Sequence, residues 1–310
     1  MSQNIDKNLK VGVVFQENTA EAQIAQATKN GIIQAIQELG LNFCEIPFTH
    51  NFVNDIHTQN VGVIFNAMHG KYGEDGYIQT ILNALKIPYT HSGVMASQIG
   101  MNKVLTNAYA KSCGISTNEN SVLLKEEILA GNYTISQKSV IKPVCGGSSV
   151  ATFILEEGQK LTQSQLQEVQ DFHDGNMFMI EAFFAGKEIA VGILNDEIIG
   201  TCKIIPAEEF YSYNAKYNSK ETVYQSPAEI SKTMCDKMQD DALKIYKAIG
   251  SSSIARVDFI ATENDYRFLE INTHPGMTAT SLMPKIGACV GISYKQIVES
   301  LLKNARFEEI

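Results

Sequence analysis

Polar and apolar residues alternate with a period of two along IARVDF (254–259), which predicts a strand with Arg256 and Asp258 on one face and Ala255, Val257 and Phe259 on the other. The same period in RFLEIN (267–272) puts Glu270 and Asn272 on one face and leaves Leu269 and Ile271 for the core. The polar stretch ATENDY between them is short enough to close an antiparallel hairpin, which would set Asp258 beside Glu270 and Asn272. Near the start of the chain, LKVGVVF (9–15) predicts a buried strand, residues 20–39 a long helix ended by Gly40, and NFCEIPF (42–48) a second strand. VGVIFNAMHG (61–70) is a continuous apolar run of the kind a central parallel strand shows. This alternation makes a small α/β unit whose sites are expected at the carboxyl ends of its strands, where His69 lies. HGKYGEDG (69–76) then leads into a helix over about 78–85, and a composition shift near Ser97 marks a boundary where a further helical segment begins. SVIKPVCGGSSVATFIL (139–155) reads as strand, loop, strand, and NMFMIEAFFAGKEIAVGIL (176–194) as two strands about Gly186. IIGTCKII (198–205) is another strand, and an amphipathic helix over 230–249, ended by Gly250, feeds the first strand of the hairpin. No internal repeat, low-complexity tract or flexible linker interrupts this order.

Composition narrows the classes. With 310 residues, 44% hydrophobic and 19% charged, the chain can build two or three cores and is not a disordered sequence. A formal net charge of -9 argues against nucleic acid or an acidic membrane surface as a general partner. Residues 1–10 are polar and the apolar run after them covers only 11–15, well short of the roughly 18 residues of a membrane span. A cytoplasmic protein is expected. The six cysteines are scattered without a CxxC or a Cys/His cluster, which fits a reducing compartment and gives no zinc site.

Candidate chemistry gathers at the polar positions. Two carboxylates and an amide, with no His or Cys among them, suit a hard cation such as Mg²⁺ that keeps waters and binds substrate phosphates, with Arg256 holding an anion beside it. The same pattern is that of an edge hairpin whose polar face meets water. HPGMT runs into TATSLMPKI, where Thr280 or Ser281 would cap a helix whose N-terminus can receive an anion. Lys142 lies within an apolar strand and needs a partner, which a nucleotide phosphate would supply, or a route to the surface. Gly146 and Gly147 before two serines let backbone N–H groups approach an oxyanion, or make a plain hairpin turn. Cys145 has no histidine near it in sequence and is assigned to packing. The stretch 207–229 has no helical or strand period yet carries Tyr211, Tyr213, Tyr217 and Tyr224, which favours a functional loop over a disordered one.

Taken in order, HGKYGEDG, Met101-Asn102-Lys103, KPVCGGSSV, FYSYNAKY, RVDF, EINTHPGMT and Ser281-Leu282 resemble the D-alanine:D-alanine ligases, an ATP-grasp family, over nearly the whole chain. The resemblance implies an α/β ATP-grasp fold: a Rossmann-like N-terminal α/β subdomain (1–97), then a central (98–184) and a C-terminal (185–310) α+β subdomain enclosing the nucleotide. It implies that ATP phosphorylates the carboxylate of one D-alanine and that the amine of a second attacks the acyl phosphate, in peptidoglycan precursor synthesis. By resemblance, Asp258, Glu270 and Asn272 bind Mg²⁺, for which Mn²⁺ can substitute. Arg256 and the Gly276 amide stabilise the oxyanion. Lys103, Lys142, Glu181, Phe184, Glu188 and Lys216 bind ATP. His69 takes the first substrate's carboxylate, Ser281 and Leu282 the second's, and Glu21, Ser148 and Tyr217 orient the first D-alanine. The loop 208–227 would close as a lid, Tyr217 favours an amine over D-lactate as nucleophile, and a homodimer is implied.

Three departures stand out. Asn102 replaces the family's acid before Lys103, and Cys145-Gly146 stands where a charged pair is common. FQENTAEAQIA lacks the usual Gly-Gly pair and keeps only Glu21 of an acidic-basic-acidic triplet. These leave room for a ligase of another amino or hydroxy acid, or for a weakly active nucleotide-binding homologue.

Overall fold

The computed structural model describes residues 5–6, 8–16, 22–147, 149–206 and 222–309. They form three sheets.

The first is parallel, ordered β2-β1-β3, from β1 (Lys10–Phe15), β2 (Asn42–Pro47) and β3 (Val63–Asn66). Both faces are covered, which is why these strands read as unbroken apolar runs. Val11, Val13 and Phe65 pack with Ile32 and Ile36 of α1 (Ala22–Glu38). On the other face Val14, Ile46 and Ile64 pack with Phe52 and Ile56 of α2 (Phe52–Thr58) and with Ile78 and Leu82 of α3 (Tyr77–Leu85). Each such side chain removed from water contributes about 1.5–3 kcal/mol. Two short helices follow, α4 (Val94–Met101) and α5 (Lys103–Ser112). The helical segment therefore begins ahead of Ser97, which lies inside α4.

The second sheet is antiparallel, ordered β4-β7-β5-β6, from β4 (Asn120–Leu124), β5 (Ser139–Pro143), β6 (Phe153–Leu155) and β7 (Met177–Ala182). Ile141, Phe153 and Phe178 form its core with Ile128 of α6 (Lys125–Leu129) and Val169 of α7 (Gln163–Asp171).

The third sheet is ordered β10-β9-β8-β11-β12, from β8 (Lys187–Leu194), β9 (Glu197–Ile205), β10 (Val223–Gln225), β11 (Ile254–Ala261) and β12 (Tyr266–Asn272). Period two divides its faces. Ile189, Val191, Ala255, Val257 and Phe259 pack on Met238, Ala242, Ile245 and Tyr246 of α8 (Lys232–Ala248). At one end of the opposite face Ala190, Cys202 and Ile204 pack on Leu282 and Ile286 of α9 (Leu282–Cys289). The rest of that face is left for a site.

α10 (Tyr294–Lys303) returns to the first unit, where Ile297, Val298 and Leu301 join the core beside Ile32 and Ile36. Among the described residues no helix is long and apolar enough to cross a membrane.

Candidate active site

A cleft of about 250 Å³ lies between the second and third sheets and is lined by residues of both. From the second sheet come Val140, Lys142 and Glu181. In the β5/β7 register Val140 is opposite Glu181 and Lys142 is opposite Met179, so Lys142 and Glu181 are diagonal neighbours on one face. Their side chains meet at 2.6 Å, Lys142 Nζ donating to Glu181 Oε1, and both are buried. The lysine that needed a partner has a carboxylate from the neighbouring strand.

From the third sheet come Glu188, Arg256, Asp258 and Glu270. The hairpin closes with Asp258 directly opposite Glu270 and Arg256 directly opposite Asn272. Arg256 donates to both oxygens of Asp258, through Nε at 2.9 and 3.0 Å and through Nη2 at 2.7 Å. Asn272 Oδ1 accepts the backbone N–H of His274 at 3.0 Å. Two carboxylates and an amide with no soft ligand among them are the donor set of Mg²⁺. Among the described residues no group of three or more His, Cys, Asp or Glu side chains could hold a metal. Asp258, Glu270 and Asn272 alone would leave a cation short of a full shell of oxygens.

One expectation fails in this hairpin. The register shifts after Asp258, with Phe259 opposite Phe268, so Leu269 is an extra residue in the ladder. A bulge reverses the faces of the residues before it: Phe268 is in the core and Leu269, expected there, lines the cleft instead. Phe183, Lys187 and Ile260 also line the cleft and carry no local sequence signal that marks them. Phe184 lies there with the Arg267 guanidinium 4.8 Å from its ring centroid.

Lys103 reaches the cleft from the first residue of α5. Its N-cap is Asn102, whose side-chain oxygen accepts the N–H groups of Val104 and Leu105 at 3.1 Å each. An amide thus does the capping an acid would do. Lys103 Nζ donates to the Gly146 carbonyl at 2.6 Å and lies 3.8 Å from Glu270 Oε2. Gly146, which lines the cleft, has φ +116, a conformation that side chains rarely adopt. Burial pushes the neighbouring Cys145 thiol above its ordinary value, with Lys103 opposing, so Cys145 is not poised as a nucleophile.

The remaining sequence candidates meet in a second corner, between the first unit and the turn after β12. His69 is buried, its Nε2 3.0 Å from Thr28 Oγ1 and its Nδ1 3.3 Å from Glu74 Oε1. A Cβ added to Gly276 would stand 3.1 Å from Ser281 Oγ and 4.0 Å from His69 Cε1, so these three residues converge. Ser281 is the N-cap of α9, yet it makes no cap hydrogen bond; its Oγ accepts the Thr278 N–H at 3.1 Å. The first N–H groups of α9 are thus not taken by their own N-cap side chain. The Leu282 side chain packs in the core, which leaves its backbone as the group able to serve a ligand. Gln16 is buried and donates to the Lys71 carbonyl at 2.9 Å, tying the end of β1 to the HGKYGEDG segment. Glu21, Ser148, Lys216 and Tyr217 lie outside the described residues, as does most of the loop expected to be a lid.

A family model described as "D-ala D-ala ligase C-terminus" matches residues 109–303. The D-alanine–D-alanine ligase of Syntrophotalea carbinolica is 34% identical over 296 residues, 96% of each chain. That of Chelativorans sp. is 33% identical and covers 96% of this chain and 98% of its own. Among solved structures, the Bacillus anthracis D-alanine–D-alanine ligase complexed with ATP superposes with a TM-score of 0.80 at 27% identity, covering 96% of this chain and 97% of that one. A D-Ala:D-Ser ligase from Enterococcus faecalis shares the fold, with a TM-score of 0.77 at 23% identity over 96% of this chain and 99% of that one.

Proposed function

The chain belongs to the D-alanine–D-alanine ligase family, and from that premise we propose that the two corners described above are the halves of one active site for dipeptide formation. The protein is an ATP-dependent ligase of the ATP-grasp fold that joins two D-alanines for peptidoglycan precursor synthesis and uses ATP with Mg²⁺. The observation that carries the assignment of the site is the convergence of Lys103, Lys142 and Arg256 with Asp258 and Glu270 on one cleft. Cations from three separate segments, gathered on one cleft with carboxylates able to hold a counter-ion, suit a polyphosphate.

In this reading Glu181 and Phe184 hold the adenine end, Glu188 the ribose, and Lys103, Lys142 and Lys216 the phosphates. Asp258, Glu270 and Asn272 would hold Mg²⁺, which neutralises charge on the phosphates. His69 orients the carboxylate of the first D-alanine, with Glu21, Ser148 and Tyr217 completing its pocket. That carboxylate oxygen attacks the γ-phosphorus, ADP leaves, and an acyl phosphate forms. The second D-alanine, its carboxylate held by Ser281 and the N–H of Leu282, attacks the acyl carbon with its amine. Arg256 and the Gly276 N–H stabilise the oxyanion before phosphate leaves and the amine gives up its proton. Division into subdomains 1–97, 98–184 and 185–310, a homodimer and a cytoplasmic location belong to the same proposal. Family membership supports it.

The test is phosphate release from ATP and Mg²⁺ with a panel of D- and L-amino acids, D-serine and D-lactate, with the product identified by mass. D-Alanyl-D-alanine, formed with one phosphate per dipeptide, is expected. Preferential formation of a depsipeptide, or turnover only with another amino acid, would overturn the assignment.

A further inference from the structure

The turn that carries both Asn272 and Gly276 is held in place by something other than its own hydrogen bonds. His274, in the middle of it, is 3% exposed, and its ring stacks on that of His91 with centroids 3.7 Å apart and planes 16° from parallel. The same His274 ring meets His69 edge to face, at 6.0 Å and 80°. His91 meets Phe65 of β3 edge to face at 5.7 Å. A continuous column of rings thus runs from the first sheet, through His91 and His274, to His69.

Two features bear on this contact. The rings meet through their faces and not through their nitrogens: His91 Nδ1 lies 2.9 Å from Thr90 Oγ1, and neither His91 Nε2 nor His274 Nδ1 bonds the other ring. His91 also adopts φ +75, a conformation a non-glycine residue takes only where its surroundings hold it. Those surroundings are rigid. The His91 carbonyl accepts from Ser252 Oγ at 3.3 Å, and Ser92 Oγ accepts the Ser252 N–H at 3.1 Å, binding this segment to the residues that lead into β11.

We propose that His91 and His274 are positioning residues: their stacked rings lock the Asn272–Gly276 turn to the first unit and so fix the Gly276 N–H relative to His69. The proposal rests on the ligase reading above, in which His69 holds the first D-alanine and Gly276 the oxyanion. It predicts that disturbing the stack affects D-alanine and spares ATP, because Asn272, the one residue of the turn assigned to the metal, ends β12 and is held by its pairing with Arg256, while the rest of the ATP cleft is built from other elements.

The experiment compares steady-state kinetics of the wild type, His91→Gly, His274→Ala and His274→Phe, varying D-alanine at saturating ATP and the reverse. His91→Gly and His274→Ala should lower kcat/KM for D-alanine by about 10- to 100-fold, the scale set by sub-ångström to ångström misplacement, with KM for ATP within about two-fold of wild type. His274→Phe keeps a stacking ring and discards the nitrogen, and should stay within about three-fold of wild type. His91→Gly relieves the backbone conformation, so the test survives if His274→Ala fails to fold. Wild-type D-alanine kinetics in His91→Gly, equal losses for ATP and D-alanine, or no rescue by His274→Phe would each overturn the proposal. A wild type inactive on D-alanine would overturn the ligase reading itself, and is seen before any variant is measured.

Discussion

Lys142 Nζ and Glu181 Oε1 are 2.6 Å apart in the lining of the cleft, on adjacent strands of the second sheet, with 8% and 6% of their side chains exposed. A buried pair of this kind owes its strength to geometry, and losing one member leaves the other charge without compensation.

Lys142→Met and Glu181→Leu should each destabilise the protein by about 3–5 kcal/mol, while the double variant should lose clearly less than the sum. Urea unfolding of the four proteins measures this cycle. ATP affinity should fall in every variant that lacks Lys142, because the phosphate-facing ammonium is gone. Additive losses would mean that the two side chains do not act as a pair.

The metal assignment makes a different demand. Glu270→Gln keeps shape and removes charge, so its melting temperature should change little, whereas Asp258→Asn also breaks the largely buried pair with Arg256 and should melt earlier. Turnover should drop by at least about 100-fold, equivalent to roughly 3 kcal/mol of transition-state stabilisation. An Mg²⁺ titration of the residual activity should show a raised half-saturation in both variants. Unchanged Mg²⁺ dependence in both would remove these residues from the metal site.

How far the sequence reaches is clear from these residues. The pairing of Asp258 with Glu270 was legible because both strands alternate cleanly and the intervening segment is short. The partner of Lys142 was not, because Glu181 is fixed by the β5/β7 register, which no local pattern encodes. Leu269 was assigned to the wrong face because period-two reading assumes an uninterrupted ladder, and the bulge carries no glycine to announce it. The contacts of His91 and His274 depend on the first and third units coming together. Two helices outside the reading did carry signals: Thr162 with Gln165 opens α7, and Ser293 with Gln296 opens α10, each as a capping box.

His91 ties stability to pH. Burial lowers it to about 3, with the nearby His69 charge acting in the same direction and the Thr90 contact opposing; His274 is stacked on it. A folded-state value below the unfolded one means that the unfolded chain binds the extra proton. The stabilising contribution is then complete above about pH 6.5 and is lost as pH falls towards 3, at up to about 1.4 kcal/mol per pH unit. Between pH 7 and 5 the wild type should lose roughly 2 kcal/mol more than His91→Phe in urea unfolding. Parallel pH profiles for the two proteins would show that His91 does not titrate in this way.

Gly276 offers the sharpest separation of the two corners of the site. Its φ is not in the left-handed region, so an alanine there carries no backbone strain and acts only through the space its methyl fills. That methyl would stand 3.1 Å from Ser281 Oγ, close enough to force a shift of a few tenths of an ångström, and 4.0 Å from His69 Cε1, an ordinary contact. Ser281 has little room to yield, because its Oγ is held by the Thr278 N–H at 3.1 Å and by Thr278 Oγ1 at 2.8 Å. The displacement should therefore fall mainly on the second substrate, raising its KM by about ten-fold or more with ATP binding unaffected. Removing the obstructing oxygen should soften the effect: in a Ser281→Ala background, where D-alanine binding is already weaker, adding Gly276→Ala should cost clearly less than it does alone. The check is KM for D-alanine at the second site across the four proteins, with ATP binding by calorimetry as the control. A Gly276→Ala enzyme with unchanged D-alanine kinetics, or with equal losses for D-alanine and ATP, would place Gly276 outside the substrate corner.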